Sequence, residues 1–304
     1  MFAPLLAAML MQQAPDFTPV EPGVSDAVVA VMEEREGVEA SAWIARLDAM
    51  GEAGDASAWE LLGELFMRGD GDIAQDLERG CDYFERIGDR RGDALHSLAH
   101  CYFAGNGRQQ DQARARELYR KAIDAGFTKS LCGLGAMLVR GEGGPADAAQ
   151  GVALCRQAAE LGDADAQTDL GFFLLTGNGV ERNSVAARMW LEEAGAQRQS
   201  NAAHVLGQIY SRGDGVAEDV DRAIHWFEIA HEAGRPDSSW ELARMWFRRG
   251  YRQDGEDTSI APVYLSQARE WALIAAETHP DAETRSEAAR LADVVGGLLA
   301  RTQN

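Results

Sequence analysis

The sequence predicts an all-α fold, a right-handed α-solenoid of about six 36-residue helix-turn-helix repeats closed by helical caps. Three observations predict it. A Gly-x-Gly step recurs at Gly69/Gly71, Gly105/Gly107, Gly141/Gly143, Gly177/Gly179 and Gly213/Gly215, each first glycine 36 residues after the last. A leucine column keeps the same register at Leu62, Leu98, Leu134, Leu170, Leu206 and Leu242. A small residue follows every one of these leucines, at Gly63, Ala99, Gly135, Gly171, Gly207 and Ala243. Self-similarity at a fixed period of about 20 to 50 residues marks stacked supersecondary units that bury a core only together.

Residues 1–23 open the chain with an apolar run, Met1 to Met11, followed by a proline-rich stretch at Pro15, Pro19 and Pro22. The run has the length of a secretory h-region but lacks the positive charge that normally precedes one. The expectation is a signal segment and linker in an exported, periplasmic protein, with a cytoplasmic protein as the alternative. Residues 24–55 read as a degenerate first helix pair, over 25–36 and 41–53.

The repeat array spans residues 56–250. In each unit the first helix, helix A, is marked by the leucine. Four residues later comes a large apolar residue on the same face: Phe66, Tyr102, Leu138, Leu174, Tyr210 and Trp246. Four residues before the leucine stands a small one: Ala58, Ala94, Ser130, Ala166, Ala202 and Ser238. The Gly-x-Gly step stops helix A, because glycine takes the left-handed C-terminal conformation at no steric cost. Asp111, Asp147, Asn183 and Asp219 then stand where an N-cap is needed to start helix B. Helix B carries Leu118, Leu154, Trp190 and Trp226, next to Tyr119, Cys155, Leu191 and Phe227, with Ala122, Ala158, Ala194 and Ala230 one turn on. Gly126, Gly162 and Gly234 close it. Arg198 stands where that register expects glycine, which predicts an irregular turn. The copy at Gly69 is the poorest, with Asp82 and Arg86 where helix B normally has an aromatic residue and an alanine. Residues 251–304 form a divergent helical cap, with one helix around Trp271 and a last helix from about Asp281 to Arg301. Atypical ends are expected, since each must cover an apolar face.

The unit is similar to the Sel-one-like repeat, a 36-residue relative of the tetratricopeptide repeat. Its clearest copy holds Leu206, Gly207, Tyr210, Gly213, Gly215, Asp219, Ala223, Trp226, Phe227 and Ala230. The resemblance implies an adaptor, regulatory or assembly role, often in exported proteins, and no fixed ligand. Cysteine-rich members of that family staple each repeat with a disulfide. Here Cys81, Cys101, Cys132 and Cys155 occur once per unit at differing positions, so no such staple is expected. Cys101 shares a column with Leu65, Met137, Phe173 and Ile209 and reads as an inert core residue.

Acidic residues outnumber basic ones 49 to 29, for a formal net charge of −20. Such a surface repels phosphate, which argues against nucleic acid and anionic lipid as partners and otherwise serves solubility. No apolar run is long enough to span a membrane. No nucleophile motif, phosphate loop or cofactor motif stands out. Each Gly-x-Gly follows a helical pattern rather than a strand, so no dinucleotide is implied. The sequence therefore predicts a binding protein, not an enzyme, with another protein or peptide as partner and no cofactor. Its oligomeric state is not readable.

In the tetratricopeptide family helix A lines the concave groove, so the non-core positions of helix A are the candidate contact residues. They lie two before, two after and five after the leucine. From this stripe the candidates are Phe103, Phe172, Leu175, His204, Gln208, Trp240, Arg244 and Phe247. Aromatic residues and arginine dominate interface energies. The alternative is that these side chains fill contacts between neighbouring A helices or pack under the terminal helix. Alanine at Phe172 and Trp240 is expected to weaken partner capture and spare the melting curve. A second column, Arg68, Arg140, Arg212 and Arg248, reads first as cations offsetting the helix dipole. It could also grip acidic groups. His96 and His100 have metal-chelating spacing, with Glu60, Glu64 and Cys132 on equivalent faces. An exported envelope factor working through its acidic outer face is the remaining alternative.

Overall fold

The computed structural model describes residues 23–71, 73–250 and 262–302. The apolar run at 1–11 and the linker into the C-terminal cap at 251–261 lie outside these residues. The described residues form successive antiparallel helix pairs in two compact units, one up to Leu154 and one from Cys155.

The first unit holds α1 (Asp26–Glu33), α2 (Ala40–Glu52), α3 (Ala56–Arg68), α4 (Leu77–Ile87), α5 (Gly92–Ala104), α6 (Gln112–Asp124), α7 (Ser130–Arg140) and the first turns of α8 (Ala148–Glu160). The degenerate pair predicted at the N-terminus is α1 and α2. Val28, Val31, Trp43 and Leu47 from this pair pack on Leu62 and Phe66 of α3. A second apolar cluster joins Phe84, Leu98, Leu118, Tyr119, Leu134 and Met137.

The second unit continues with the rest of α8, then α9 (Ala164–Thr176), α10 (Ser184–Ala196), α11 (Ser200–Arg212), α12 (Val220–Glu232), α13 (Ser238–Gly250), α14 (Pro262–Thr278) and α15 (Ala282–Thr302). Leu191, Leu206, Tyr210, Phe227 and Leu242 form its core. Ala243, Ala272 and Ala292 bring α13, α14 and α15 together at the cap.

The repeat columns do the work their chemistry predicts. A Cβ added to Gly207 would lie 2.6 Å from the Phe227 ring, and one on Gly63 would lie 2.5 Å from the ring of Phe84. The small column thus lets helix B lay a ring flat on helix A. Asp111, Asn183 and Asp219 accept hydrogen bonds from the backbone N–H three residues on, at 2.9 to 3.0 Å. Each such cap is worth about 1 kcal/mol. Gly213 ends α11 in the left-handed conformation, at φ 73°. The second glycine of the step has a different job. A Cβ on Gly107 would stand 2.1 Å from the Leu77 carbonyl oxygen. The loop therefore rests directly on the backbone that begins helix B of the preceding repeat.

Three expectations need correction. The turn at Arg198 is regular: Arg198 takes φ 62°, the left-handed conformation of Gly126, Gly162 and Gly234, and is the only described non-glycine residue with positive φ. The copy at Gly69 is complete in its core. Its loop is one residue longer, Asp76 caps α4, and the inward positions move to Tyr83, Phe84 and Ile87, leaving Asp82 and Arg86 outside. Finally, Cys81 and Cys101 are joined by a disulfide, with Cα atoms 6.3 Å apart on α4 and α5. Cys101 is buried as the column implied, but α4 and α5 belong to successive repeats and bring the sulfurs together across their contact. Cys132 and Cys155 are also disulfide-bonded, and no described cysteine is free.

Candidate partner-binding surface

The three predicted stripe columns of helix A separate once the helices are packed. The column two residues before the leucine turns into the contact between successive A helices. In the first unit His96 Nδ1 lies 2.9 Å from Ser130 Oγ, with its ring against Tyr119 and Phe127 at 5.4 and 5.3 Å. In the second unit His204 Nδ1 lies 2.8 Å from Ser238 Oγ, with its ring edge-on to Phe227 at 5.3 Å. The two arrangements occupy equivalent repeat positions. With Gln208 Nε2 donating to His204 Nε2 at 3.0 Å, the single proton of the neutral ring sits on Nδ1 and is donated to Ser238 Oγ. Burial pushes both imidazoles down to about 4, aided at His96 by His100 and Lys129 and at His204 by Arg235 and Arg212. Glu60 holds the same column in α3. It pairs with Arg91, and burial together with the Asp93 carboxylate pushes it up to about 8.

This column is therefore internal, which corrects two predicted roles. His204, only 6% exposed, is a core group and offers no surface to a partner. His96 spends its Nδ1 on Ser130 and is half-buried, while His100 is exposed. Among the described residues neither histidine joins a group of three donors close enough to share an ion. Trp240 is corrected too. It packs against Ala243, Ala272 and Ala292 beneath the terminal helices, so alanine there would disturb the cap.

The column two residues after the leucine is the outward one. Glu64, His100, Phe172 and Arg244 are exposed, Gln208 is half-buried, and Ala136 is buried. Phe172 is 53% exposed, where the equivalent positions are mostly polar. The column five after the leucine lies between. Phe103 packs partly on the first unit's core with its ring 6.5 Å from His100. Leu175 packs partly on the second unit's core, and Phe247 is half-buried. In the second unit Phe172 and Leu175 lie on α9, Gln208 on α11, and Arg244 and Phe247 on α13. Phe103 belongs to the corresponding face of the first unit.

The arginine column is mostly engaged locally. Arg140 pairs with Glu142 at 2.9 Å, and Arg248 pairs with Glu218 at 2.5 Å while donating to the Ser211 carbonyl at 3.1 Å. Arg244 holds Glu241 at 3.1 Å on its own helix. Arg212 is exposed and has no ion pair among the described residues.

The His–Ser bridges were missed by sequence reasoning, although a signal for them exists. Ser130 and Ser238 are the two serines of a column that is otherwise alanine. Each stands 34 residues after one of the two histidines in the neighbouring column. Reading the serines only as small residues hid the pairing.

Helix pairs in strict register, packed through small-residue columns and presenting a variable helix A face, define an α-solenoid repeat protein. Sel1 repeats match residues 60–90, 92–127, 128–163, 164–198 and 200–234, more than half of the chain. The chain belongs to the Sel1 repeat family. It is similar to the crystal structure of a protective antigen of uropathogenic Escherichia coli strains that displays this fold, with 27% identity and a TM-score of 0.59. That match covers 83% of this chain and 56% of the antigen, so the chain spans little more than half the antigen's length. A Sel1 repeat protein from Oxalobacter formigenes shares the fold at 21% identity and a TM-score of 0.64, over 84% of this chain and 99% of its own. No curated protein sequence matches the chain. Sel1 repeat proteins are generally protein–protein interaction scaffolds and typically non-catalytic. Among the described residues no helix is long and apolar enough to cross a membrane.

Proposed function

We propose that this chain is a non-catalytic scaffold that holds a partner protein or peptide on the helix A face of its second unit. The observation that carries this reading is Phe172, a large ring 53% exposed on the outward column. Leu175 lies on the same helix, and Gln208, Arg244 and Phe247 stand on helices α11 and α13 of the following repeats. Covering the exposed half of one phenylalanine is worth about 1 to 1.5 kcal/mol. That corresponds to about tenfold in affinity. The test is affinity capture from the native host with wild type, Phe172→Ala and Arg244→Ala, each checked for folding by its melting curve. A partner retained by wild type and lost by a folded variant supports the reading. The same proteins on all three baits would refute it and direct attention to the acidic outer face.

We also propose that the chain works in an oxidising compartment, the periplasm or the exterior. The support is that all four cysteines are in disulfide linkage. Disulfides persist where thiols are not kept reduced by the cytosol. Trapping thiols with an alkylating reagent in intact cells tests this. Four unmodified cysteines in the extracted protein are expected, whereas four alkylated ones would place the mature chain in a reducing compartment.

A further inference from the structure

We infer that the segment held on this face is acidic, carrying a carboxylate close to an aliphatic or aromatic side chain. The inference rests on the scaffold reading above and goes further by naming the partner's chemistry. Phe172, Gln208 and Arg244 occupy equivalent repeat positions and so stand side by side on α9, α11 and α13. Neighbouring helices pack about 8 to 10 Å apart. One turn beyond Gln208 on the same face of α11 is Arg212, close enough to His204 to influence its titration. Arg212 is exposed and unpaired among the described residues, while Arg244 is held only by a neighbour on its own helix in an exposed pair. Such a pair yields readily to a competing carboxylate. Arg248 is engaged with Glu218 and the Ser211 carbonyl and frames the patch.

The apolar anchor and the two available guanidiniums therefore lie within a few helix widths of one another. Arginine's planar fork suits a carboxylate, and burying an ion pair beside an apolar contact removes the water that would weaken it. The rest of the chain argues in the opposite direction. With a net charge of −20, long-range attraction alone would favour basic ligands. Selection of an acidic segment would therefore have to come from this patch.

The test uses the full chain with its disulfides intact, panned against a library of random linear decapeptides. Recovered peptides should be enriched in Asp and Glu together with Leu or Phe. A representative fluorescent peptide should bind Arg212→Glu and Phe172→Ala each about tenfold more weakly than wild type. Arg212→Lys should recover part of the loss, and changing the peptide's Glu to Lys should abolish binding. Circular dichroism must show native helicity in every variant scored. Enrichment of basic or neutral peptides, or acidic peptides indifferent to Arg212→Glu, would overturn the inference and leave the scaffold reading standing. A library from which nothing is retained above bare matrix would overturn it as well. Host proteins captured through Phe172 in the earlier experiment would then show that the scaffold reading survives with a folded partner surface in place of a linear segment.

Discussion

Acid should loosen each unit of this protein through one buried histidine. In the first unit His96 faces Ser130, Tyr119 and Phe127, with Lys129, His100 and Asp93 as the charged or titratable groups around it. In the second, His204 faces Ser238, Phe227 and Gln208, with Arg235, Arg212 and Asp237 nearby. Both imidazoles titrate near 4 in place of 6.5. The folded state therefore keeps them neutral, while the unfolded chain takes up a proton as soon as the pH drops below about 6.5. Between those limits these two groups bind more protons in the unfolded state, so their contribution falls as pH falls. Glu60, raised to about 8, acts in the opposite direction over the same range in both proteins and cancels in the comparison. The histidine contribution is fully present above about 6.5 and is lost progressively towards 4. A shift of that size corresponds to about 3 kcal/mol per histidine. That is a large share of the roughly 5 to 15 kcal/mol that holds a typical domain together. The assay is urea unfolding of wild type and a His96→Gln/His204→Gln variant at pH 7.5, 6.5, 5.5 and 4.5. The variant should be less stable at pH 7.5, by about 1 to 2 kcal/mol from altered hydrogen bonds, and should have the flatter profile. Asp55, Asp93 and Asp237 have depressed carboxyls and lose their contributions at lower pH, in both proteins. The difference between the two profiles above pH 4.5 thus isolates the imidazoles. Parallel profiles, or imidazole NMR signals titrating near 6.5 in the folded protein, would refute the reasoning.

Four further outcomes follow from the packing. Gly207→Ala should destabilise by about 1 to 3 kcal/mol in urea, because the new methyl meets the Phe227 ring at 2.6 Å. Wild-type stability in that variant would mean the ring is free to move. Arg198→Gly should raise stability by about 0.5 to 1 kcal/mol, since it removes a side chain from a left-handed position. The lost ion pair with Glu232, at 3.0 Å and exposed, offsets little of this. A Cys81→Ser/Cys101→Ser variant should lose about 3 kcal/mol, from a cross-link spanning 20 residues. Equal unfolding midpoints would show that the bond adds nothing to stability. Trp240→Ala should lower the melting temperature markedly, while Phe172→Ala should shift stability by no more than about 0.5 kcal/mol. Equal effects would contradict the placement of one ring in the cap and the other in solvent.

Much of the fold was legible because each repeat states the same constraints again. The leucines, the glycine that ends helix A and the Asp or Asn that starts helix B are local requirements with few chemical solutions. The reading weakened where the solution was non-local. The loop before α4 is one residue longer than its counterparts, which moved Asp82 and Arg86 outward and Phe84 inward. Arg198 showed that a backbone position can keep its conformation while changing its residue. The cysteines illustrate the same limit, because positions that differ along the helices can still meet when they sit on helices of successive repeats. At the candidate surface the sequence pointed to helix A but could not sort its faces. His204, Gln208 and Arg244 all looked like groove residues, and only the neighbouring helix A decides which of them it covers.

The sequence by itself determined that this is a Sel1-type α-solenoid, where the helices of its regular repeats begin and end, and which helix carries the variable column. Those properties follow from periodicity and cap chemistry, which act within a few residues of one another. The tertiary structure decided that His96 and His204 are internal, that Cys81 and Cys101 are joined, that Trp240 belongs to the cap, and that Phe172 faces solvent. Those outcomes depend on how one helix rotates and settles against the next, a matter of side-chain volume and close approach that no single repeat contains.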